Sequence, residues 1–271
     1  MSQQNPLQAY EQWLKLSASP RTAYAYLYTI RKFIERFGKD PSQAKPEEIY
    51  AFLSNFSPRS AHRHAYALRS YLMFLGRFDL AGKVPKPKFT TSLPNCITNE
   101  LVRKMLLACD NLREKCIIAC MYELALRRGE VVLLNRDDFD YNNRLMRVHR
   151  LKTKGGLPED HILPISDELA EMIQMYLNSR NDNERALFVC GDPPRRISSE
   201  MVRYIFKKIA KRIGMPDLKP HVLRHTRLTE LAKMGLDLID LAKFAHHKSP
   251  SSTLIYIHLA HKDIVEKLKR T

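Results

Sequence analysis

At 271 residues with 44% hydrophobic side chains, the chain is long enough for one large domain or two smaller ones with their own cores, which excludes a disordered tail. Lys and Arg number 45 against 29 Asp and Glu, a formal charge of +16, so the expected partner is a polyanion such as nucleic acid. Five cysteines with no C-x-x-C pair, an N-terminus with no basic-then-apolar leader and no apolar run approaching about 20 residues argue against a disulfide scaffold, a secreted chain and a membrane span, and predict a reducing, cytoplasmic setting.

Residues 7–16 predict a short helix with Leu7, Tyr10, Trp13 and Leu14 on one side. Ser19-Pro20-Arg21-Thr22-Ala23 has the form of a helix start, with serine as cap and proline in the first turn. Ala23, Leu27, Ile30, Ile34 and Phe37 then follow at steps of four and three, an amphipathic stripe. Pro46-Glu47-Glu48 opens a shorter helix through Leu53, and Ser57-Pro58-Arg59-Ser60-Ala61 repeats the earlier start before the stripe Ala61, Ala65, Leu68, Leu72 and Leu75. The reading is a small helical bundle over residues 1–79. Residues 1–90 hold 14 basic and 6 acidic side chains, a net +8 that is half the total excess. A solvated surface is the ordinary reading of a basic face on any one helix. From Arg59 to Lys88, however, seven basic residues face only Asp79, with Tyr66, Ser70 and Tyr71 interleaved as candidate phosphate donors, and this favours DNA. The candidate contacts are Arg21, Arg59, Arg63, Arg69, Lys83, Lys86 and Lys88.

Residues 80–96, with three prolines, three lysines and little periodicity, predict an interdomain linker. A second domain over 97–271 then starts at Thr98, a candidate cap for a helix carrying Leu101, Met105 and Leu106. The apolar run Cys116 to Leu126 leads into Arg127-Arg128-Gly129-Glu130 and then Val131 to Leu134. Charges in so apolar a helical region are either a structural ion pair, Arg127 with Glu130, or part of a site. Asp137, Asp138 and Asp140 form the one acidic cluster. Capping before an Asn142-Asn143 turn is the expected use, a magnesium site the alternative. Leu145–Arg150 and His161–Ile165 predict two strands flanking a Gly- and charge-rich hairpin tip that contains Lys152 and Lys154.

Ser166 caps a helix with Leu169, Met172, Ile173 and Tyr176, and Ser198 or Ser199 caps one with Val202, Ile205, Phe206, Ile209 and Ile213 facing inward. In His221-Val222-Leu223-Arg224 the imidazole and guanidinium are three residues apart and share a helix face. His225, inside the same run, is read as structural. His247 and Tyr256 lie nine residues apart across a Ser-Pro-Ser-Ser-Thr turn. Residues 261–270 form an amphipathic tail. The fold class is mainly α with a small antiparallel β-hairpin, α+β.

Two imidazoles, a guanidinium and a phenol gathered in residues 221–256 fit attack on a phosphodiester. Without metal, such chemistry needs cations and hydrogen-bond donors on the non-bridging oxygens, and the planar donor fork of arginine serves best. A phenol there is a candidate nucleophile.

The pattern H-x-x-R, a later His, and a Tyr nine residues beyond resembles the second signature box of the tyrosine recombinases, the phage-integrase and Xer-type family. Phe244-Ala245-His246-His247-Lys248-Ser249 stands where that family reads Leu-Gly-His, with His246 replacing the glycine. Leu126-Arg127-Arg128-Gly129-Glu130 resembles the first box, Gly-Leu-Arg-x-Ser-Glu, with Ala125 replacing its glycine and Gly129 its serine. The resemblance implies a helical core-binding domain that clamps DNA, followed by a recombinase catalytic domain. It implies the site Arg127, Lys152, His221, Arg224, His247 and Tyr256, with Lys154 as the alternative hairpin lysine and Glu130 in support. It further implies cleavage and rejoining of strands through a 3′-phosphotyrosyl enzyme at specific recombination sites, without cofactor, metal or ATP. The setting would be a homo-oligomer on DNA, a tetramer in the synapse, joined by the C-terminal tail and associated with the nucleoid. Dimer resolution and element integration or excision both remain open. The competing readings are a type IB topoisomerase, a metallonuclease on the Asp cluster, a zinc protein using His221 and His225, and a DNA-binding protein without catalysis.

Overall fold

The computed structural model describes residues 5–89, 94–149, 160–247 and 250–260. The chain divides into two compact units, Met1–Ser92 and Leu93–Thr271. Both are built mainly of helix, and the second adds small antiparallel sheets, which is the class expected.

The first unit contains α1 (Pro6–Ser17), α2 (Pro20–Phe37), α3 (Pro46–Leu53), α4 (Pro58–Phe74) and α5 (Phe78–Lys83). Proline opens the first four, where its missing N–H costs no hydrogen bond. Ser19 caps α2, its Oγ accepting from the Thr22 N–H at 3.2 Å; Ser57 sits at the corresponding place before α4 but makes no such bond. Gly38 ends α2 at φ 66°, a left-handed turn that glycine adopts without strain. The apolar stripes meet in a core centred on Tyr10, Ile30, Phe33, Ile49, Phe52, Leu68 and Leu72, and α2 runs along α4. Each large side chain so buried contributes roughly 1.5–3 kcal/mol.

Two expectations change here. Leu80, Ala81 and Val84 are buried in this same core, so the bundle continues through α5 into residues expected to begin the linker. Tyr71 is fully buried and its hydroxyl donates to Asp40 Oδ2 at 2.6 Å, while Ser70 Oγ accepts from the Tyr10 hydroxyl at 2.8 Å. Tyr71 is thus committed inside the unit and Ser70 is half-buried beside Tyr10, while Tyr66 is exposed.

The second unit contains α6 (Asn99–Leu107), α7 (Leu112–Glu123), α8 (Arg128–Leu133), β1 (Phe139–Asp140), β2 (Leu145–His149), β3 (Asp160–Pro164), α9 (Asp167–Asn178), β4 (Val189–Cys190), β5 (Arg195–Arg196), α10 (Ser199–Arg212), α11 (His221–Lys233) and α12 (Leu238–Phe244), with residues 254–260 again helical. α7 is the central strut. Cys116 to Met121 are all buried, and α6, α8, α9, α10 and α11 pack around it. A helical stretch apolar all round, as Cys116 to Met121 is, belongs inside a core, and this one fixes where the residues following it emerge.

β1, β2 and β3 form an antiparallel sheet in that order, with Met146 opposite Leu163 and His149 opposite Asp160. Met146 and Val148 point inward and Arg147 outward, the period-two pattern of a half-buried strand. The strands end within a residue of their expected limits, and the hairpin tip with Lys152 and Lys154 lies outside the described residues. The Asp cluster is used for structure. Asp140 accepts from the Asn143 backbone N–H at 3.0 Å and its Nδ2 at 2.7 Å, and Asp138 Oδ2 accepts from the Asn135 N–H at 2.8 Å. The short β4–β5 hairpin was not expected. Arg196 on it donates to the carbonyls of Val132 (2.7 Å) and Leu134 (3.1 Å), satisfying the free C-terminal end of α8.

Candidate active site

Between α7 and α8 the chain breaks where the sequence reads as continuous helix. Ala125 is fully buried at φ 49°, a left-handed conformation that costs an L-residue roughly 1–2 kcal/mol. His246 adopts φ 51° in the same way. These are the two positions where the resembled family carries glycine, and the backbone explains why.

The turn at Ala125 delivers Arg127 to the extended residue just before α8. Glu130, 1% exposed, accepts from the Arg127 backbone N–H at 2.7 Å and from its guanidinium at 2.6 Å. The ion pair is real, but it occupies only one edge of the guanidinium, whose side chain keeps 35% of its surface open.

α11 carries the next three groups. Arg224 is 3% exposed and donates to the carbonyl oxygens of Ala125 and Ala245, so one buried fork ties together both left-handed turns. Burial, then the Arg127 charge, pulls its pKa down to about 10, which leaves it cationic at neutral pH. Its Nη2 lies 3.1 Å from His247 Nε2. Because arginine only donates, that nitrogen accepts, and Nδ1 carries the proton toward Thr253 Oγ1 at 2.7 Å. Burial and the neighbouring Arg224 and Arg127 charges lower His247 to about 4, in keeping with a neutral ring. His246, buried, stacks at 4.1 Å on His161 of β3 instead; of the two adjacent histidines it is His247 that meets Arg224.

Tyr256 is 3% exposed and packs with Ala125, Leu228, Leu231, Leu241 and Ala245 in a small core of its own. Its ring lies 6.3 Å from that of His247, nearly parallel. Burial raises its pKa, while Arg224 and Arg127 pull the other way. Its hydroxyl is 2.8 Å from Nδ1 of His225, the histidine read as structural. His221 is exposed at the helix start; desolvation by neighbouring protein, then Arg224 and Arg127, lower its pKa. Its ring is 6.2 Å from that of His225. The missed signal was helical spacing: four residues after His221 and one after Arg224, His225 shares the edge of α11 turned to the C-terminal segment. Ile97 N–H donates to Thr226 Oγ1 at 3.0 Å, seating residues 94–98 on the same helix.

Five of the six expected site residues, Arg127, His221, Arg224, His247 and Tyr256, therefore gather around α11, and the sixth, Lys152, lies outside the described residues. In the first unit, Arg21, Tyr24, Tyr28, His62, Arg63 and Tyr66 line a groove of about 610 Å³ between α2 and α4. Arg59, Lys83, Lys86 and Lys88 are exposed, whereas Arg69 is half-buried and donates to the Val84 carbonyl at 3.2 Å. Among the described residues no group of three or more His, Cys, Asp or Glu is arranged to hold a metal ion, and no helix is long and apolar enough to cross a membrane.

Residues 95–263 match the model of the phage integrase family. The tyrosine recombinase XerA of Pyrococcus horikoshii is 32% identical over 269 residues, 97% of this chain and 92% of that protein. XerA of Thermococcus kodakarensis is 32% identical over 280 residues, 100% of this chain and 95% of the relative. Among solved structures, the XerH site-specific recombinase bound to palindromic difH substrate, in a post-cleavage complex, is similar with a TM-score of 0.74 at 19% identity, covering 93% of this chain and 80% of that one. That likeness is one of fold.

Proposed function

The chain belongs to the phage integrase family and is a site-specific DNA recombinase, and we propose that Tyr256 is its nucleophile and Arg127, Arg224 and His247 its phosphate-binding groups. The observation that carries this reading is the meeting of a buried phenol, a buried arginine and a second arginine held by Glu130 at one place in the second unit. The Tyr256 oxygen attacks a phosphodiester, the bond to the 5′-oxygen breaks, and a 3′-phosphotyrosyl enzyme with a free 5′-hydroxyl results. Arg127 and Arg224 stabilise the non-bridging oxygens as negative charge grows on them. His247 hydrogen-bonds the same phosphoryl group, and Lys152 from the hairpin protonates the departing oxygen. The intermediate keeps the ester, so a 5′-hydroxyl from another strand reverses the step without ATP.

Double-stranded DNA is the partner in this reading, held on the first unit by Arg21, Arg59, Arg63, Lys83, Lys86 and Lys88, whereas Arg69, also expected there, donates to the Val84 carbonyl. Protomers assemble as a tetramer in the synapse through residues 261–271, which lie outside the described residues, and act on DNA at the nucleoid in the cytoplasm. The resemblance that supports these assignments runs the length of the chain, and a type IB topoisomerase or a non-catalytic DNA-binding protein is not favoured by it.

Trapping DNA covalently joined to the protein in cells, and sequencing it, identifies the target. A nicked duplex of that sequence then tests the nucleophile: Tyr256→Phe binds it normally and yields no adduct on a denaturing gel, and wild-type adduct persists in EDTA. An undiminished Tyr256→Phe adduct removes Tyr256 from the role, and an EDTA-abolished adduct restored by magnesium moves the chemistry to a metal.

A further inference from the structure

Among the described residues, His225 is the titratable side chain that hydrogen-bonds the proposed nucleophilic oxygen, its Nδ1 lying 2.8 Å from the Tyr256 hydroxyl. A phenol is a donor at neutral pH, so Nδ1 accepts and the imidazole holds its own proton on Nε2. The groups facing this pair are His221 and Arg224 on α11, Arg127 before α8, His247, and Cys96 from the segment seated on α11. The fixed charges among them are both positive. Burial, then the neighbouring His221 and Arg224, lowers His225 to about 4 and keeps it neutral. An anionic phosphodiester between the two arginines offsets that positive field, so the ring becomes a better base when substrate is in place.

We propose that His225 accepts the proton of Tyr256 during DNA cleavage, an inference that rests on reading Tyr256 as the nucleophile. As the Tyr256 oxygen forms its bond to phosphorus, its proton passes to His225 Nδ1, giving an imidazolium. The electron pair of the broken P–O bond goes to the 5′-oxygen, which takes a proton from the hairpin lysine. On rejoining, the imidazolium returns its proton to the phenolate. His225 meets the reacting atom directly, and α11 presents base and phosphate-binding cation as adjacent residues, Arg224 and His225.

The test uses the full-length protein and a nicked duplex of the sequence recovered from the cellular adducts. At pH 7, His225→Ala forms adduct about 100-fold more slowly than wild type, the ordinary contribution of a positioned base, with unchanged duplex affinity. His225→Asn, whose amide oxygen stands near the Nδ1 position, keeps the hydrogen bond and the melting temperature but is equally slow, because an amide takes no proton. Raising the pH toward 9 closes the gap between His225→Ala and wild type, since hydroxide substitutes for the lost base. Installing the more acidic 3-fluorotyrosine at position 256 restores His225→Ala far more than it accelerates wild type. His221→Ala leaves this pH profile in its wild-type form. A His225→Ala rate equal to wild type overturns the proposal, and so does a deficit that survives both high pH and fluorotyrosine, which is the mark of a packing role. Adduct formation by Tyr256→Phe instead overturns the nucleophile on which the inference rests, so the two failures read differently.

Discussion

Glu130 makes no contact with the proposed substrate path, yet both its oxygens are committed to Arg127, one to the backbone N–H and one to the guanidinium. Replacing it with alanine leaves a buried N–H and a cation without their acceptor, at a cost of roughly 1–3 kcal/mol. The larger effect falls on chemistry, because the guanidinium is no longer held in one place; adduct formation should drop by about tenfold or more at saturating DNA. A single-turnover rate that stays at wild type while the urea midpoint falls would mean Glu130 supports only the fold. The half-buried histidines His225 and His247 give a second prediction. His225 and His247 are lowered to about 4 from an ordinary 6.5, so between those values the unfolded chain binds protons that the folded one refuses. The stability they contribute is full above pH 6.5 and is lost as pH falls toward 4, by at most on the order of 1 kcal/mol per histidine per pH unit. His149, raised by its hydrogen bonds to Asp160 and Asp138 against opposing burial, works in the opposite sense. Urea midpoints at pH 7 and pH 5 should therefore fall less for the double variant His225→Asn, His247→Asn than for wild type; an equal fall assigns the acid sensitivity elsewhere.

At the scale of elements, the amphipathic stripes of α2, α4 and α10 and the alternation of β2 and β3 were legible because burial on one face imposes a period that residue identity records. The break between α7 and α8 was not. Leu124 to Leu126 carries no glycine or proline, and nothing in an apolar run announces that Ala125 must turn left-handed. His225 was missed for a related reason: its partner is 31 residues away, and long-range contacts leave no local pattern. The β2–β3 hairpin raises a question of direction. His149, held by Asp138 and Asp160 at 2.8 Å each, pins the last described pair before the tip, and Lys152 and Lys154 follow beyond it. Only one of the two lysines serves as the acid. Sulfur in place of the bridging 5′-oxygen leaves without protonation, so it rescues a missing acid and not a missing phosphate contact. Lys152→Ala should cleave ordinary duplex poorly and be restored by the 5′-phosphorothiolate, whereas Lys154→Ala should show weaker, salt-sensitive binding. Rescue of Lys154→Ala alone reverses the assignment.

For the whole molecule, charge told more than hydrophobicity: a formal +16, half of it within residues 1–90, pointed to nucleic acid before any motif did. Charge alone, however, does not separate a residue that meets DNA from one that holds the fold, and the basic face of the first unit contains both kinds. Arg63 is exposed and, among the described residues, donates to the Ser60 hydroxyl at 3.2 Å through one nitrogen, a contact that leaves most of its fork open to a phosphate. Arg69, on the same helix, is half-buried and donates to the Val84 carbonyl, joining α4 to the end of α5. Salt dependence distinguishes the two, because each phosphate contact releases condensed counterions and adds about 0.9 to the slope of log affinity against log salt. Arg63→Ala should lower that slope by about one and weaken binding most at low salt, with the melting temperature unchanged. Arg69→Ala should lower the melting temperature and leave the slope nearly intact. If both variants reduce the slope equally without loss of stability, the Arg69 fork exchanges the Val84 carbonyl for DNA on binding, and the whole stripe from Arg59 to Lys88 acts as a single electrostatic surface.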